Sequence, residues 1–114
     1  MKFPPVIAVT SGEPAGIGPE LCAMLVHQRH SARRVILGDR RLIEARARQI
    51  GLPLPLADFQ PDGAPGDGVL EILHVPLCAP SRAGHLEPAN AAYVLALLDR
   101  ALGGCREGEF AAMV

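Results

Sequence analysis

Short apolar runs alternate along this chain with stretches whose apolar residues recur at helical spacing. Residues 6–9, Val6-Ile7-Ala8-Val9, are continuous and largely β-branched, which suits a strand covered on both faces of a parallel sheet. Ile17, Leu21, Met24 and Leu25 then recur as one face of a helix over 21–27. Residues 27–34 are polar and basic and read as a helix end and turn. Val35-Ile36-Leu37 predicts a second strand, closed by Gly38-Asp39, with Asp39 as N-cap of a helix reaching about Ile50. Ile43, Ala47 and Ile50 define its inner face and arginines its outer one; Gly51 stops it and Pro53 forbids continuation. Residues 54–56 predict an edge strand, 59–68 a surface loop rich in Pro and Gly, 69–75 a strand, and 76–87 an irregular stretch. From Pro88 the spacing predicts the strongest helix, with Ala91, Val94, Leu95, Leu98 and Leu102 as its apolar stripe and Gly103-Gly104 as its end. Residues 110–114 read as a last strand. Strands alternating with helices predict an α/β fold with a largely parallel sheet and flanking helices. A final strand with no helix after it leaves that alternation incomplete, so residues 1–114 are expected to be the N-terminal portion of something longer.

The chain is organised around Thr10-Ser11-Gly12-Glu13-Pro14-Ala15-Gly16-Ile17-Gly18-Pro19-Glu20. Its glycines and prolines exclude an ordinary helix or strand, and Pro19 suits a first helical turn. A shaped loop at the carboxyl end of a first strand is where α/β proteins usually put a ligand. It is not a P-loop, because no Gly-Lys-Ser/Thr follows, and not a dinucleotide fingerprint, because Leu21 stands at the third glycine position and Glu20 would repel a phosphate. Backbone N–H groups at the helix start suit an anion or a cofactor cleft. The alternative is a tight connection whose glycines only permit positive φ.

Composition narrows the field. With 114 residues, 49% hydrophobic and 20% charged, the chain is expected to be globular. A net charge of −1 gives no electrostatic case for nucleic acid or an anionic membrane surface. No apolar run approaches a membrane span, and Met1-Lys2-Phe3-Pro4-Pro5 lacks the features of a signal peptide. Cys22, Cys78 and Cys105 are odd in number and far apart, which predicts reduced thiols in the cytoplasm rather than a disulfide framework or zinc knuckle. Cys22 follows a helix start, which can lower a thiol pKa, but its neighbours are apolar and no base is indicated. His27 and His30 have an i, i+3 spacing that can bind metal, without an evident third ligand. His85 is placed to approach a cleft, and His74 reads as a sheet residue. Glu13 and Glu20 flank the loop, to hold a ligand hydroxyl or to favour the helix dipole; Arg33-Arg34 and Arg40-Arg41 read as solvated surface.

Residues 12–20 resemble the N-terminal signature of the 4-hydroxythreonine-4-phosphate dehydrogenases of pyridoxal phosphate (vitamin B6) biosynthesis. Ala83-Gly84, Ala89-Asn90 and residues 102–112 agree, so the resemblance extends along essentially the whole chain. More distantly, the loop is similar to the Gly-Asp-Gly-Ile-Gly-Pro-Glu turn of isocitrate and isopropylmalate dehydrogenases, which share that fold. The resemblance implies NAD- or NADP-dependent oxidation of a small phosphorylated substrate followed by decarboxylation. It also implies a divalent metal (Zn, Mg or Co) as Lewis acid, and a homodimer with its active site in a cleft between two domains. The family's metal- and substrate-binding histidines lie beyond Val114, and His27, His30, His74 and His85 do not match them. No catalytic or metal-binding residue is therefore carried over, and this chain alone is expected to be inactive. Gly12, Glu13, Gly16 and Ile17 are expected beside the cofactor. The alternatives are a related dehydrogenase for another phosphorylated sugar acid or a cyclic diol, and a non-catalytic α/β binding module.

Overall fold

The computed structural model describes residues 4–28, 30–52, 54–64, 66 and 68–114. Residues 1–3, Arg29 of the predicted basic turn, the chain-breaking Pro53, and Pro65 and Asp67 of the predicted surface loop lie outside the described residues. The strands are β1 (Val6–Thr10), β2 (Arg33–Gly38), β3 (Leu56–Asp58), β4 (Leu70–His74) and β5 (Ala112–Met113). The helices are α1 (Gly18–Met24), continued by one 3₁₀ turn over Leu25–His27, then α2 (Arg40–Gln49) and α3 (Ala91–Arg106), the last entered through a 3₁₀ turn over Pro88–Asn90. The strands form one five-stranded sheet in the order β3-β4-β2-β1-β5. Every pairing is parallel, as the βα alternation predicts. The loop after β4 is irregular as expected, apart from one bridge between Arg82 and His85.

Alternation along the strands divides the core in two. Val35 and Leu37 of β2 join Ala8, Tyr93, Leu97, Ala101 and Phe110 on the α3 side. Ile36, between them in sequence, joins Cys22, Ile43, Leu70 and Ile72 on the side of α1 and α2. Asp39 caps α2 as its position predicts, its carboxylate accepting from the Leu42 N–H at 3.1 Å. The β3 edge strand begins at Leu56, beyond Pro55, which cannot donate to a ladder. β5 is short, but its pairing with β1 continues outside the strand: Ala111 donates to Val6, and Val114 to Ala8.

Two helices turn differently from their expected stripes. On α3 the buried line is Tyr93, Leu97, Ala101 and Gly104, whereas Ala91, Leu95, Leu98 and Leu102 face solvent, Leu95 being 62% exposed. On α1 the buried residues are Pro19, Cys22 and Ala23, and Leu21 and Met24 are exposed. The reason is steric. On α1 the small Cys22 and Ala23 let the helix sit close to the sheet, and on α3 Tyr93 and Leu97 fill the core while Gly104 admits Phe110; a stripe of large residues marks a helix without saying which face is inward. Gly103-Gly104 does not end α3 either. A Cβ on Gly104 would lie 2.3 Å from the Phe110 ring, so this glycine serves packing inside the helix. The helix stops before Gly108, whose φ of 79° is the left-handed conformation that glycine adopts readily. Ile50 is exposed at the end of α2 and does not extend the buried face of Ile43 and Ala47.

Two arginines expected in solvent are engaged by the fold, one buried and one partly buried. Arg46 of α2 is buried. Arg33 pairs with the buried Glu71 through Nε at 2.6 Å and Nη2 at 2.5 Å, donates to the Gln60 and Pro61 carbonyls, and stacks over Phe59. The hydrogen bond to Glu71 holds the Arg33 guanidinium above its ordinary pKa. A strand-end arginine thus staples the loop after β3 to the sheet.

The contact at Gly104 predicts that Gly104→Ala, although a better helix former, lowers stability by about 1–3 kcal/mol through overpacking against Phe110. Thermal or urea unfolding tests this, and an unchanged or raised midpoint would contradict the packing role.

Candidate functional site

All strands of the sheet run parallel, so the loops after β1, β2 and β4 meet at one end. The loop after β1 is the glycine-rich stretch. Gly12 has φ of 74° with nothing near the position of a Cβ, so it turns the chain out of the strand at an open surface. Glu13 then folds back: its Oε1 accepts from the Ala15 N–H at 3.1 Å, and its carbonyl from the Gly16 N–H at 3.0 Å. Ile17 is the N-cap residue of α1 and is 71% exposed. The four expected cofactor-adjacent residues, Gly12, Glu13, Gly16 and Ile17, thus lie in one turn at the carboxyl end of β1. Gly18 closes the turn. A Cβ there would lie 2.0 Å from the Ser11 carbonyl oxygen, so only glycine lets α1 start this close to the end of β1.

Beneath the loop lies a buried polar cluster whose residues carry no recognisable motif. The Tyr93 hydroxyl accepts from the Asp39 N–H at 2.9 Å and lies 3.3 Å from Ser11 Oγ. Burial pushes the Tyr93 phenol up, against the opposing hydrogen bonds of Ser11 and the Asp39 N–H. Asp39 Oδ2 accepts from the Leu77 N–H at 2.9 Å, and Asn90 Oδ1 from the Cys78 and Ala79 N–H groups. These bonds draw the start of the loop after β4 onto the sheet end, and its far part is held by the Gly84 N–H donating to the Ala15 carbonyl at 2.9 Å. His85, next to Gly84, is exposed and 3.1 Å from Arg82.

Glu20 accepts from Arg46 Nη1 at 3.0 Å. His74 Nδ1 accepts from the Arg40 N–H at 3.0 Å, a satisfied position at the start of α2. His27 and His30 are not on one helix face: the 3₁₀ turn ends at His27, and His30 Nδ1 accepts from the Ala32 N–H. Both line a groove of about 490 Å³ with Arg34 and Leu70, at the opposite end of the sheet from the glycine-rich loop. Among the described residues no group of three or more His, Cys, Asp and Glu side chains stands together, so these residues do not fit a divalent metal. A depression of about 200 Å³ lies at the foot of the loop, lined by Val9, Thr10, Gly18, Leu21, Cys22 and Leu25. It is below the roughly 300–1,000 Å³ of ordinary ligand pockets. Cys22 is no nucleophile there: burial pushes its thiol from 9.0 to about 11.

Two outcomes follow. Gly18→Ala should destabilise the fold by about 1–3 kcal/mol, because the backbone at Ser11 must move to admit the methyl group; chemical denaturation against the wild type tests it. At pH 8 a thiol reagent should label exposed Cys78 and leave Cys22 unmodified until the protein unfolds. The folded pKa of Cys22 is the higher one, so its contribution to stability is present below about pH 9 and is lost as pH rises through about 11. Rapid labelling of Cys22 in the native protein would contradict its burial.

No family model matches the chain. Over 110 residues it is 59% identical to the 4-hydroxythreonine-4-phosphate dehydrogenase of Azoarcus sp. (strain BH72), covering 96% of this chain and 33% of that protein. The enzyme of the same name from Chromobacterium violaceum is 56% identical, with 96% of this chain and 34% of the relative covered. The chain spans about a third of the length of these curated relatives. Among solved structures, a 4-hydroxythreonine-4-phosphate dehydrogenase from Burkholderia phymatum superposes with a TM-score of 0.85 at 20% identity, covering 98% of this chain and 36% of that one. A terephthalate 1,2-cis-dihydrodiol dehydrogenase from Burkholderia xenovorans LB400 gives a TM-score of 0.71 at 27% identity, covering 97% and 33%. Over almost all of its 114 residues, then, the chain is similar in sequence and in fold to about one third of a 4-hydroxythreonine-4-phosphate dehydrogenase.

Proposed function

We propose that this chain forms one wall of the cofactor cleft of an NAD- or NADP-dependent and metal-dependent dehydrogenase acting on 4-hydroxythreonine 4-phosphate in pyridoxal phosphate biosynthesis. The observation that carries this reading is the 59% identity, over 96% of the chain, to a relative of that name. The carboxyl-end position of the loop supports it, because open parallel sheets bind ligands there. On this reading Gly12, Glu13, Gly16 and Ile17 border the cofactor. The glycines let the backbone approach it closely, and exposed Ile17 offers an apolar contact. A bound nicotinamide would supply the hydride acceptor for oxidation at the carbon bearing the substrate hydroxyl. Metal ligands and substrate-binding groups belong to residues other than these, and no metal step is assigned to this chain. The exposed Leu95, Leu98 and Leu102 face of α3 supports a place within a larger body, since such apolar faces are usually covered. A homodimer working in the cytoplasm belongs to the same proposal.

A related dehydrogenase acting on a cyclic diol is the second reading, favoured by the 27% identity to the terephthalate dihydrodiol dehydrogenase. Nicotinamide reduction separates the two. The complete enzyme containing this chain should reduce NAD or NADP with 4-hydroxythreonine 4-phosphate and a divalent metal, and the 114 residues alone should show no turnover. Turnover with a dihydrodiol and not with the phosphate would favour the second reading. Turnover by the isolated chain would overturn the one-wall proposal.

A further inference from the structure

Arg46 belongs to α2, yet its side chain ends beneath the glycine-rich loop and is 3% exposed. Its Nη1 donates to the Gly16 carbonyl at 3.0 Å and to Glu20 Oε1 at 3.0 Å, while Nη2 donates to the Pro14 carbonyl. The neighbouring carbonyls are also engaged. Glu13 O accepts from Gly16 N–H, Ala15 O from Gly84 N–H, and Ile17 O from Leu21 N–H. Every carbonyl oxygen from Glu13 to Ile17 is therefore used within the fold, and one guanidinium takes two of them.

A planar guanidinium presents its donors in a fixed fork, so it can set the spacing of two carbonyls as well as neutralise a carboxylate. An ammonium at the same place is a point charge and cannot hold both carbonyls in that geometry. A loop ordered in advance spares the ligand the entropy of ordering it. We propose that Arg46 is a positioning residue for the glycine-rich loop. By fixing the Pro14 and Gly16 carbonyls, it holds Gly12, Glu13, Gly16 and Ile17 in the shape that meets the nicotinamide cofactor, with Glu20 as its counter-ion. The cofactor half of this inference rests on the function proposed above; the loop-ordering half rests on the hydrogen bonds alone.

The test compares wild type, Arg46→Lys and Arg46→Ala in the complete enzyme, by steady-state kinetics with the cofactor varied and by amide hydrogen exchange over residues 12–18. Arg46→Ala strands the Glu20 carboxylate and invites general unfolding, so Arg46→Lys, which keeps the charge, is the deciding variant. Arg46→Lys should raise the cofactor KM about tenfold with kcat changed less than about twofold. Exchange should accelerate in residues 12–18 while the amides of β2 stay protected. An unchanged cofactor KM overturns the proposal, as does protection lost evenly across the sheet, which marks a merely structural arginine. Should the wild-type enzyme reduce neither NAD nor NADP, the dehydrogenase reading fails, and exchange in Arg46→Lys still decides the ordering role: unchanged loop exchange overturns it.

Discussion

One phenol ties a helix to two strand ends. Tyr93 projects from α3 into the sheet, where its hydroxyl accepts from Asp39 N–H and meets Ser11 Oγ. Ser11 follows β1 and Asp39 follows β2, so a single oxygen sets the relative height of both exits. Space there is tight: a Cβ on Gly38 would sit 2.6 Å from Ser11 Oγ and 3.3 Å from the Tyr93 oxygen. A buried hydroxyl that lost these partners would leave a donor and an acceptor unsatisfied, at about 1–3 kcal/mol each. The carboxylate of the same Asp39 caps α2 and receives Leu77 N–H, so the cluster also anchors the loop after β4. The glycine-rich turn rests on this foundation.

The division of labour around the loop is clear in chemical terms. The side facing the protein is saturated with hydrogen bonds from Arg46, Gly84 and the turn itself. The other side carries Gly12 beside open space and a solvated Ile17. A surface rigid behind and open in front is what ligand recognition requires, because the scaffold bears the ordering cost. The shallow depression at its foot, about 200 Å³, is smaller than an ordinary ligand pocket.

The succession of strands and helices and the glycine-rich loop are legible in the residues themselves. Runs such as Val35-Ile36-Leu37 are too short for a helix and too apolar for a loop, and Asp39 before a helical pattern is a cap whatever the tertiary context. What escaped was orientation and partnership. Leu95, Leu98 and Leu102 announce a helix, but the inward face is Tyr93, Leu97, Ala101 and Gly104: Tyr93 and Leu97 fill the core, and Gly104 admits the Phe110 ring. Arg46 and Arg33 look like surface charges because nothing local reveals that Pro14, Gly16 and Glu20, or Glu71, will arrive beside them. Tyr93 is a lone aromatic in a helix, and its two polar partners lie far away in sequence. Local patterns encode local structure; burial of a charge or a phenol is a property of the assembled sheet.

The pairing of β1 with β5 sets Ile7 opposite Ala112, almost the full length of the chain apart. During synthesis the outer edge of β1 therefore waits, its hydrogen-bonding groups open to other strands, until β5 emerges. The Phe110 ring that fills the space over Gly104 arrives equally late. Closure of so long a loop is slow relative to local helix formation. The nascent chain thus carries a period of vulnerability to edge-to-edge association that ends only when β5 docks.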